Sequence, residues 1–188
     1  MLSKEFSVSY NVYMKAKLFE VKETKTKGKG LFAKEFIPKG TITWFKCSNC
    51  KVYTKSDILK LKKKDKEFVY WHAFRIKSGE YILPCDEASY TNHSCNANIL
   101  DSGRGFDIVI RDIKKGEEVT YDYRAFYDID MKCFCNEDNC CKKVKSIHPI
   151  PRELKKYWER KIVPSLKSIK DVDQPLNKLL SDLKKIPS

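Results

Sequence analysis

Three cysteines in the second half of the chain stand at a spacing that suits a metal ion. They form the pattern Cys133-x-Cys135-x4-Cys140, and Cys141 follows directly. Zinc in structural sites takes four sulfur or nitrogen ligands, so three nearby thiolates favour it. Cys133 and Cys135 are too close for an easy disulfide, and the chain shows no secretory leader, which indicates a reduced, intracellular protein. We therefore expect a zinc site, with free thiols as the alternative.

A second cysteine pair, Cys47-x-x-Cys50, could provide half of another zinc site. The other half would have to come from Cys85, His72 or Cys141, and none of these stands in an equally good half-site. Cysteine is also among the residues most often buried as a small apolar side chain. We therefore expect buried or free thiols at Cys47 and Cys50.

Two further stretches carry residues that suit the approach of a small ligand. The glycines of Lys27-Gly28-Lys29-Gly30 let the backbone turn sharply and come close to a ligand without a Cβ in the way, although a plain hairpin turn needs the same residues. Asn92-His93-Ser94 could likewise be an ordinary hydrogen-bonded turn. Neither stretch identifies a function alone.

The order of the motifs is more informative than any one of them. Asn-His-Ser-Cys at residues 92–95 precedes Tyr-Asp-Tyr at residues 121–123, and the cysteine pattern of residues 133–140 follows. In this order the chain resembles the SET-domain protein-lysine methyltransferases. The resemblance covers roughly residues 17–143.

The resemblance implies a mainly β fold of the α+β class. The family has small curved sheets, a C-terminal segment that threads beneath a loop as a pseudoknot, a zinc-binding post-SET loop and, here, C-terminal helices. The implied segments are an N-terminal flank at 1–16, a SET domain at 17–127 with a variable insert at 46–80, a post-SET zinc segment at 128–143 and a helical tail at 144–188.

The resemblance also implies which residues hold ligands. The residues implied to bind S-adenosylmethionine are Lys27, Gly28, Lys29, Gly30, Asn92, His93, Tyr123 and Phe134. The implied zinc ligands are Cys95, Cys133, Cys135 and Cys140, in a closed structural site where Cys141 competes with Cys140.

Methyl transfer to a lysine explains why tyrosines suit such a site. The amine must be neutral to attack, and its ordinary pKa of about 10.4 makes deprotonation at neutral pH cost roughly 4 kcal/mol. A narrow apolar channel disfavours the ammonium form, and hydroxyls at its end can align the amine. By resemblance, Tyr123 is the catalytic tyrosine at the channel end. Tyr121 stands where the family has Tyr or Phe, and Tyr resembles mono- or dimethylating members. A buried aromatic pair is the alternative.

Apolar alternation predicts the strands that must position these residues. The predicted strands are Leu18–Thr24, one that follows the turn at 37–42, Phe106–Ile113, and Val119–Tyr123, which should bring Tyr121 and Tyr123 to one face.

The insert and the tail carry the predicted helices. A short helix is expected around 58–64, with Phe68, Trp71 and Phe74 in the core. In the tail, Pro151 begins a helix over 152–163, which Pro164 ends. A second helix follows Asp173, with Leu176, Leu179, Leu180 and Leu183 on one face. We expect both tail helices to pack on the core, with docking of a partner or dimer mate as the alternative.

The charge of the chain restricts its partners. A formal charge of +13 over 188 residues predicts attraction to nucleic acid, acidic protein faces or anionic membrane, unless it is only a solvated lysine-rich surface. No apolar run is long enough to span a bilayer, so we expect a soluble protein. Its location would be the nucleus in a eukaryote, or the cytoplasm or a host cell for a bacterial protein.

The sequence thus predicts an S-adenosylmethionine-dependent protein-lysine N-methyltransferase that adds one or two methyl groups to histone or histone-like tails. One alternative is a zinc-stabilised SET-derived module that binds nucleic acid or a protein with little catalysis. Another is methylation of a small molecule or of a site other than lysine.

Overall fold

Strands form most of the chain, and short helices lie between and after them. The computed structural model describes residues 18–176. The strands are β1 Phe19–Glu23, β2 Lys29–Ala33, β3 Ile42–Phe45, β4 Lys51–Tyr53, β5 Phe74–Arg75, β6 Tyr81–Leu83, β7 Asn92–His93, β8 Ile99–Asp101, β9 Phe106–Val109, β10 Glu118–Tyr121, β11 Asp130–Lys132 and β12 Lys143–Lys145. The helices are α1 Lys55–Lys60, α2 Lys63–His72 and α3 Arg152–Ser168, with 3-10 turns at Glu87–Tyr90, Tyr123–Ala125 and Ile169–Asp171.

The largest sheet joins segments that are far apart in the sequence. Its strands follow the order β1-β2-β10-β8-β9-β3, and β7 also pairs with β10. β10 is antiparallel to β2 but parallel to both β7 and β8. A late strand is therefore inserted between earlier ones, an arrangement that local sequence patterns do not predict. The mainly β, α+β fold class expected from the sequence is confirmed.

The central strands bury both of their faces. Ile99 and Val109 pack in one apolar cluster, whereas their neighbours Leu100 and Ile108 pack in another, because successive side chains on a strand point to opposite sides. Helix α3 covers the second cluster through Trp158, which is buried. The expectation that this tail helix packs on the core is confirmed.

Helix α3 continues one turn beyond the residue predicted to end it. Pro164 lies inside the helix, which ends at Ser168. A proline in a helix removes the N–H that would bond to the carbonyl four residues earlier, here that of Arg160. Arg160 and Pro164 are both exposed, so water can satisfy this carbonyl. Ser165, on the buried side, donates its hydroxyl to the carbonyl of Lys161 at 2.9 Å.

The insert forms a small layer of its own, with strand order β4-β6-β5 beside α1 and α2. Thr54 and Asp57 form a reciprocal capping box that begins α1. A helix is present as predicted, but the range 58–64 is interrupted: α1 ends at Lys60 and a second helix, α2, begins at Lys63. The expectation that Phe68, Trp71 and Phe74 are core residues is wrong. Trp71 is 79% exposed and Phe68 47%, because the apolar face of this layer is already filled by Ile58, Val69, Tyr81 and Leu83.

The other predicted elements are found with shifted bounds. β1 and β9 lie within the predicted strands, whereas β2 was not predicted because its glycine-containing sequence indicated a loop. The N-terminal flank and the positions of Leu179, Leu180 and Leu183 lie outside the described residues. No helix within 18–176 is both long and apolar enough to cross a membrane.

We expect Trp158→Phe to lower the free energy of unfolding by about 1–2 kcal/mol, because the indole N–H donates to the buried Asp122 carboxylate at 3.0 Å. Chemical denaturation at saturating zinc measures the change. Trp71→Phe is the matched control, and at this exposed position the effect should stay within about 0.5 kcal/mol. Equal effects of the two substitutions would contradict the role given to the hydrogen bond.

Candidate functional site

The two tyrosines of the Tyr-Asp-Tyr motif meet at a third aromatic ring. β10 ends at Tyr121, and Tyr123 begins a 3-10 turn, so the prediction that they alternate along one strand is wrong. Asp122 caps this turn by accepting from the backbone N–H of Arg124 at 3.2 Å. The ring centroids of Tyr121 and Tyr123 lie 4.9 Å and 5.4 Å from that of Phe126. The turn, rather than strand alternation, brings the two rings together.

Tyr123 is held at both its backbone and its hydroxyl. Its N–H donates to Nδ1 of His93 at 3.1 Å, and its hydroxyl donates to the carbonyl of Thr91 in a short hydrogen bond. Burial of the hydroxyl, with a smaller effect of the Glu118 carboxylate, raises the pKa of Tyr123 above its ordinary value. The phenol is therefore neutral at physiological pH and acts through hydrogen bonds.

Two cavities meet at Tyr123. The larger cavity, of about 690 Å³, is lined by Lys27, Lys29, Asn92, His93, Tyr123 and Phe134 among others. The aromatic cavity, of about 250 Å³, is lined by Trp44, Trp71, Phe74, Tyr121, Tyr123 and Phe126 among others. Tyr123 and Trp71 contribute to both walls, so the phenol stands at the boundary between them.

The two cavities differ in charge. Lys27, Lys29 and Lys132 line the larger cavity, and its described lining includes no carboxylate. Asp107, Asp128 and Asp130 line the aromatic cavity, and no lysine or arginine is among the described residues of its wall. Lys27 is paired with Glu118, so Lys29 and Lys132 are the lysines that favour a negative group in the larger cavity. In the aromatic cavity, Asp128 pairs with Arg75 and Asp130 with Lys143, so its aromatic walls suit an apolar side chain.

The glycine loop is joined to the Asn-His motif by close packing. The side-chain amide of Asn92 donates to the carbonyl of Lys29 at 3.1 Å and to Oε1 of Glu118 at 2.9 Å. A Cβ at position 30 would lie 2.9 Å from both Asn92 Nδ2 and Glu118 Oε1, so only glycine fits at Gly30. Gly28 has a φ of +67°, a conformation that glycine adopts readily.

A buried carboxylate anchors the back of the site. Asp122 accepts hydrogen bonds from Arg124 at 2.6 Å and 2.8 Å and from Trp158 at 3.0 Å. His93 lies 3.9 Å from this carboxylate, but its burial lowers its pKa to about 4. His93 is therefore neutral and forms no ion pair with Asp122. Since its Nδ1 accepts from the backbone of Tyr123, its proton is on Nε2, which lies 3.4 Å from the Cys95 sulfur.

The cysteines form a cluster whose dimensions fit zinc. The Sγ–Sγ distances are 3.9 Å from Cys95 to Cys133 and 3.4 Å from Cys133 to Cys135, and the sulfurs of these three and Cys140 all lie within 4.8 Å of one another. Four thiolates bound to zinc at about 2.3 Å form a tetrahedron with edges of about 3.8 Å. Burial raises the pKa of Cys95 to about 12, so a bound cation would be needed to hold it as thiolate.

Other ligand sets are less suitable. His93, Cys95, Cys133 and Cys141 also lie within reach of one ion, but His93 carries its proton on the nitrogen that faces the cluster and has no lone pair to offer there. Cys141 Sγ lies 3.4 Å from Cys95 Sγ, so proximity alone does not separate it from Cys140. Four thiolates within the cluster thus fit a closed structural zinc site.

A comparison with protein families explains why these segments occur together. Residues 28–124 match the family model described as the SET domain. The chain belongs to the SET domain family. The matched range includes the glycine loop, the Asn-His motif and both tyrosines, whereas the cysteines at 133–141 follow it.

Several curated relatives are described as histone-lysine methyltransferases, and one as a potential protein-lysine methyltransferase. A histone-lysine N-methyltransferase of Candida glabrata, H3 lysine-36 specific, is 33% identical over 87 residues, which is 40% of this chain and 12% of that protein. A Saccharomyces cerevisiae protein described as a potential protein lysine methyltransferase is 33% identical over 86 residues, 37% of this chain and 22% of that protein. The chain therefore aligns with only a small part of these relatives.

One solved structure of this family is the methyltransferase domain of the human histone-lysine N-methyltransferase SETMAR. It is 26% identical, with a TM-score of 0.49, and the match covers 68% of this chain and 57% of that domain.

The structure brings most of the predicted site residues to the larger cavity. Six of the eight residues predicted to bind the cofactor line it, whereas Gly28 and Gly30 shape the loop behind its wall. Two residues of the site were not predicted from the sequence. Thr91 contributes a backbone carbonyl, and the carboxylate of Glu118 accepts hydrogen bonds from the side chains of Asn92 and Lys27. No side-chain pattern could identify Thr91, because it acts through its backbone. Glu118 could have been found, because an acidic residue stands directly before the predicted strand Val119–Tyr123.

We expect Cys140→Ser to remove one zinc ion per chain, whereas Cys141→Ser leaves the zinc content unchanged. The reason is that Cys140 completes the four-sulfur set with Cys95, Cys133 and Cys135. Metal analysis of the purified variants by inductively coupled plasma mass spectrometry measures the difference. Loss of zinc only in the Cys141 variant would assign the fourth ligand to that residue instead.

Proposed function

We propose that this protein is an S-adenosylmethionine-dependent protein-lysine N-methyltransferase. The observation that carries the proposal is the position of Tyr123 between a cavity lined by lysines and a cavity lined by aspartates and aromatic rings. A methyl donor with a carboxylate fits the first, and a lysine side chain fits the second. The family relationship supports the same reaction class.

The residues of the larger cavity fit the cofactor. Its volume of about 690 Å³ lies within the range of small-molecule sites. Asn92 and His93 form one wall, the loop with Lys27 and Lys29 forms another, and Phe134 offers an exposed ring for stacking. When bound, S-adenosylmethionine supplies the methyl group.

The aromatic cavity would prepare the acceptor amine. Its aromatic walls would disfavour the charged ammonium form of the lysine, so the proton would be released to solvent before transfer. The hydroxyl of Tyr123 donates to the carbonyl of Thr91, which leaves an oxygen lone pair free to accept an N–H from the neutral amine. This hydrogen bond would orient the nitrogen lone pair toward the boundary between the cavities.

The zinc cluster would hold the wall that joins the two cavities. Met131 lines both cavities and lies in β11, which leads directly into Cys133. Phe134 lies between two of the cysteines. Coordination of zinc by the four cysteines would therefore fix this segment over the site.

We propose histone or histone-like tails as the substrate class. The excess of positive charge on the whole chain disfavours a basic peptide, and the aspartates that line the aromatic cavity offset it only in part, because Asp128 pairs with Arg75 and Asp130 with Lys143. The curated relatives that act on histone H3 support this class. A chromatin substrate implies the nucleus, and the basic surface elsewhere would suit contact with DNA.

We expect Tyr123→Phe to lower methyl transfer by about 100-fold or more, because it removes the hydroxyl that aligns the amine. Labelled S-adenosylmethionine with histones and mixed protein extracts measures transfer, and calorimetry measures cofactor binding, which should change little. Tyr53→Phe, in the insert and outside both cavity walls, is the matched control.

Other results of this assay have distinct meanings. Nucleic-acid binding without transfer by the unchanged chain would indicate the binding module and refute the enzyme. Transfer that survives Tyr123→Phe at full rate would remove Tyr123 from the mechanism. Label on a small molecule or on a residue other than lysine, identified by mass spectrometry, would refute the acceptor class.

We propose that Tyr121 limits the product to one or two methyl groups. Its side chain lines the aromatic cavity, and its hydroxyl accepts a hydrogen bond from the backbone N–H of Asp101 at 3.0 Å, which fixes the ring in the wall. Tyr121→Phe should therefore shift the products toward trimethyl-lysine, as measured by peptide mass spectrometry. Tyr70→Phe, in the wall of the same cavity, should leave the distribution unchanged, and an equal shift in both variants would contradict this role.

A further inference from the structure

Three cysteines outside the post-SET segment come together at the base of the insert. Cys47 and Cys50 lie in the turn between β3 and β4, and Cys85 follows β6 by two residues. Pairing of β4 with β6 brings the two segments side by side, with Lys51 opposite Leu83. The three sulfurs therefore meet although 35 residues separate Cys50 from Cys85.

The triangle of sulfurs has the dimensions of a metal site. The Sγ–Sγ distances are 3.8 Å from Cys47 to Cys50, 3.4 Å from Cys47 to Cys85 and 4.0 Å from Cys50 to Cys85. The edge of a zinc–thiolate tetrahedron is about 3.8 Å. In the post-SET cluster the distances from Cys133 to Cys135 and to Cys95 are 3.4 Å and 3.9 Å, and the sulfurs of each group lie within 4.8 Å of one another.

The residues named as alternatives for the fourth ligand lie elsewhere. Nδ1 of His72 contacts the carbonyl of Ser89 at 3.1 Å, and Cys141 contacts the Cys95 sulfur. Among the described residues, the group consists of three cysteines. Cys47 and Cys85 are half-buried, so one side of the triangle is open to solvent.

From this geometry we infer that Cys47, Cys50 and Cys85 bind a second zinc ion, with a solvent oxygen as the fourth ligand. Three thiolates select a soft or borderline cation rather than magnesium or calcium. The site joins β3 of the large sheet to β4 and β6 of the insert. It would therefore act as a structural clamp, in contrast to the buried or free thiols that the sequence predicts at Cys47 and Cys50.

The clamp would set the position of the insert relative to the aromatic cavity. Cys47 packs against the cluster of Ile42, Phe45 and Leu176, and Phe74, on β5, lines the aromatic cavity. β5 pairs with β6, whose continuation carries Cys85. Loss of the metal would thus loosen a cavity wall without touching Tyr123.

Metal analysis of the full chain tests the inference. We expect about two zinc ions per chain in the unchanged protein and about one after Cys85→Ser, while Ser48→Ala in the same turn changes nothing. The double variant Cys85→Ser with Cys140→Ser should hold none. The difference between the unchanged chain and Cys85→Ser is the decisive value, and it does not depend on the post-SET site or on methyl transfer. An unchanged zinc content in Cys85→Ser overturns the inference.

Thiol protection on the unchanged protein provides a second measurement that needs no folded variant. We expect Cys47, Cys50 and Cys85 to resist alkylation by iodoacetamide together and to become reactive together when a chelator removes the metal, with peptide mass spectrometry as the readout. Alkylation of Cys47 and Cys85 at the rate of an exposed thiol in the zinc-loaded protein would overturn the site. A disulfide between Cys47 and Cys85 in protein that was purified without an oxidant would also overturn the site.

Discussion

The parallel pairing of β10 with β7 is the constraint on which the site depends. It sets Thr120 opposite Asn92 and Tyr121 opposite His93, so the end of β10 lies beside the Asn-His motif. The next residues then have little freedom: Asp122 is buried against Arg124 and Trp158, and Tyr123 donates its N–H to His93. A strand can be paired in only a few registers, and a shift by one residue would turn every side chain to the opposite face. The backbone pairing of β10 with β7 therefore sets the boundary between the cavities. The buried carboxylate of Asp122 then holds the side chains of Arg124 and Trp158 next to this boundary.

Hydrogen bonds stabilise the buried carboxylate of Asp122 next to Tyr123. A buried ion is stable only when its oxygens are hydrogen-bonded and a counter-charge is near, and Asp122 has both. Arg124 has its pKa raised by its hydrogen bonds to Asp122, so the pair remains charged. His93, in contact distance of the same carboxylate, stays neutral because its burial outweighs the attraction. Its single proton then faces Cys95, so one imidazole connects the tyrosine with a sulfur of the cysteine cluster. The cysteine cluster and Tyr123 are thus coupled through two hydrogen bonds and not merely adjacent.

Sequence reasoning was most successful where short patterns reflect local chemistry. The alternation in β1 and the proline before α3 could be recognised because each depends on one strand or one helix alone.

The predictions failed where contacts between distant segments determine the structure. Pro164 does not end α3, because the exposed side of the helix tolerates a missing N–H while Trp158 and Ser165 fix the buried side. Trp71 is exposed because four other residues already fill the core of the insert. Tyr121 and Tyr123 meet at Phe126 through a 3-10 turn that no alternation rule predicts. Resemblance to a family indicated which residues belong together, but their hydrogen bonds and the charges of the cavity walls required coordinates.

The two cysteine clusters lie at the edges of apolar clusters, one with Val144 and the other with Ile42, Phe45 and Leu176. Two cavities meet in the centre of the molecule, and their walls come from the insert, from the segment before β7 and from the segment around β11. Walls around an open cavity lose packing contacts on one side, so they need support from elsewhere. Each cluster joins segments at least 35 residues apart, Cys50 with Cys85 in one and Cys95 with Cys133 in the other. Metal coordination can hold such segments without filling the space between them, because its strength comes from a few bonds rather than from buried area. Zinc at both clusters would therefore fix the chain that surrounds the two cavities through thiolate ligands.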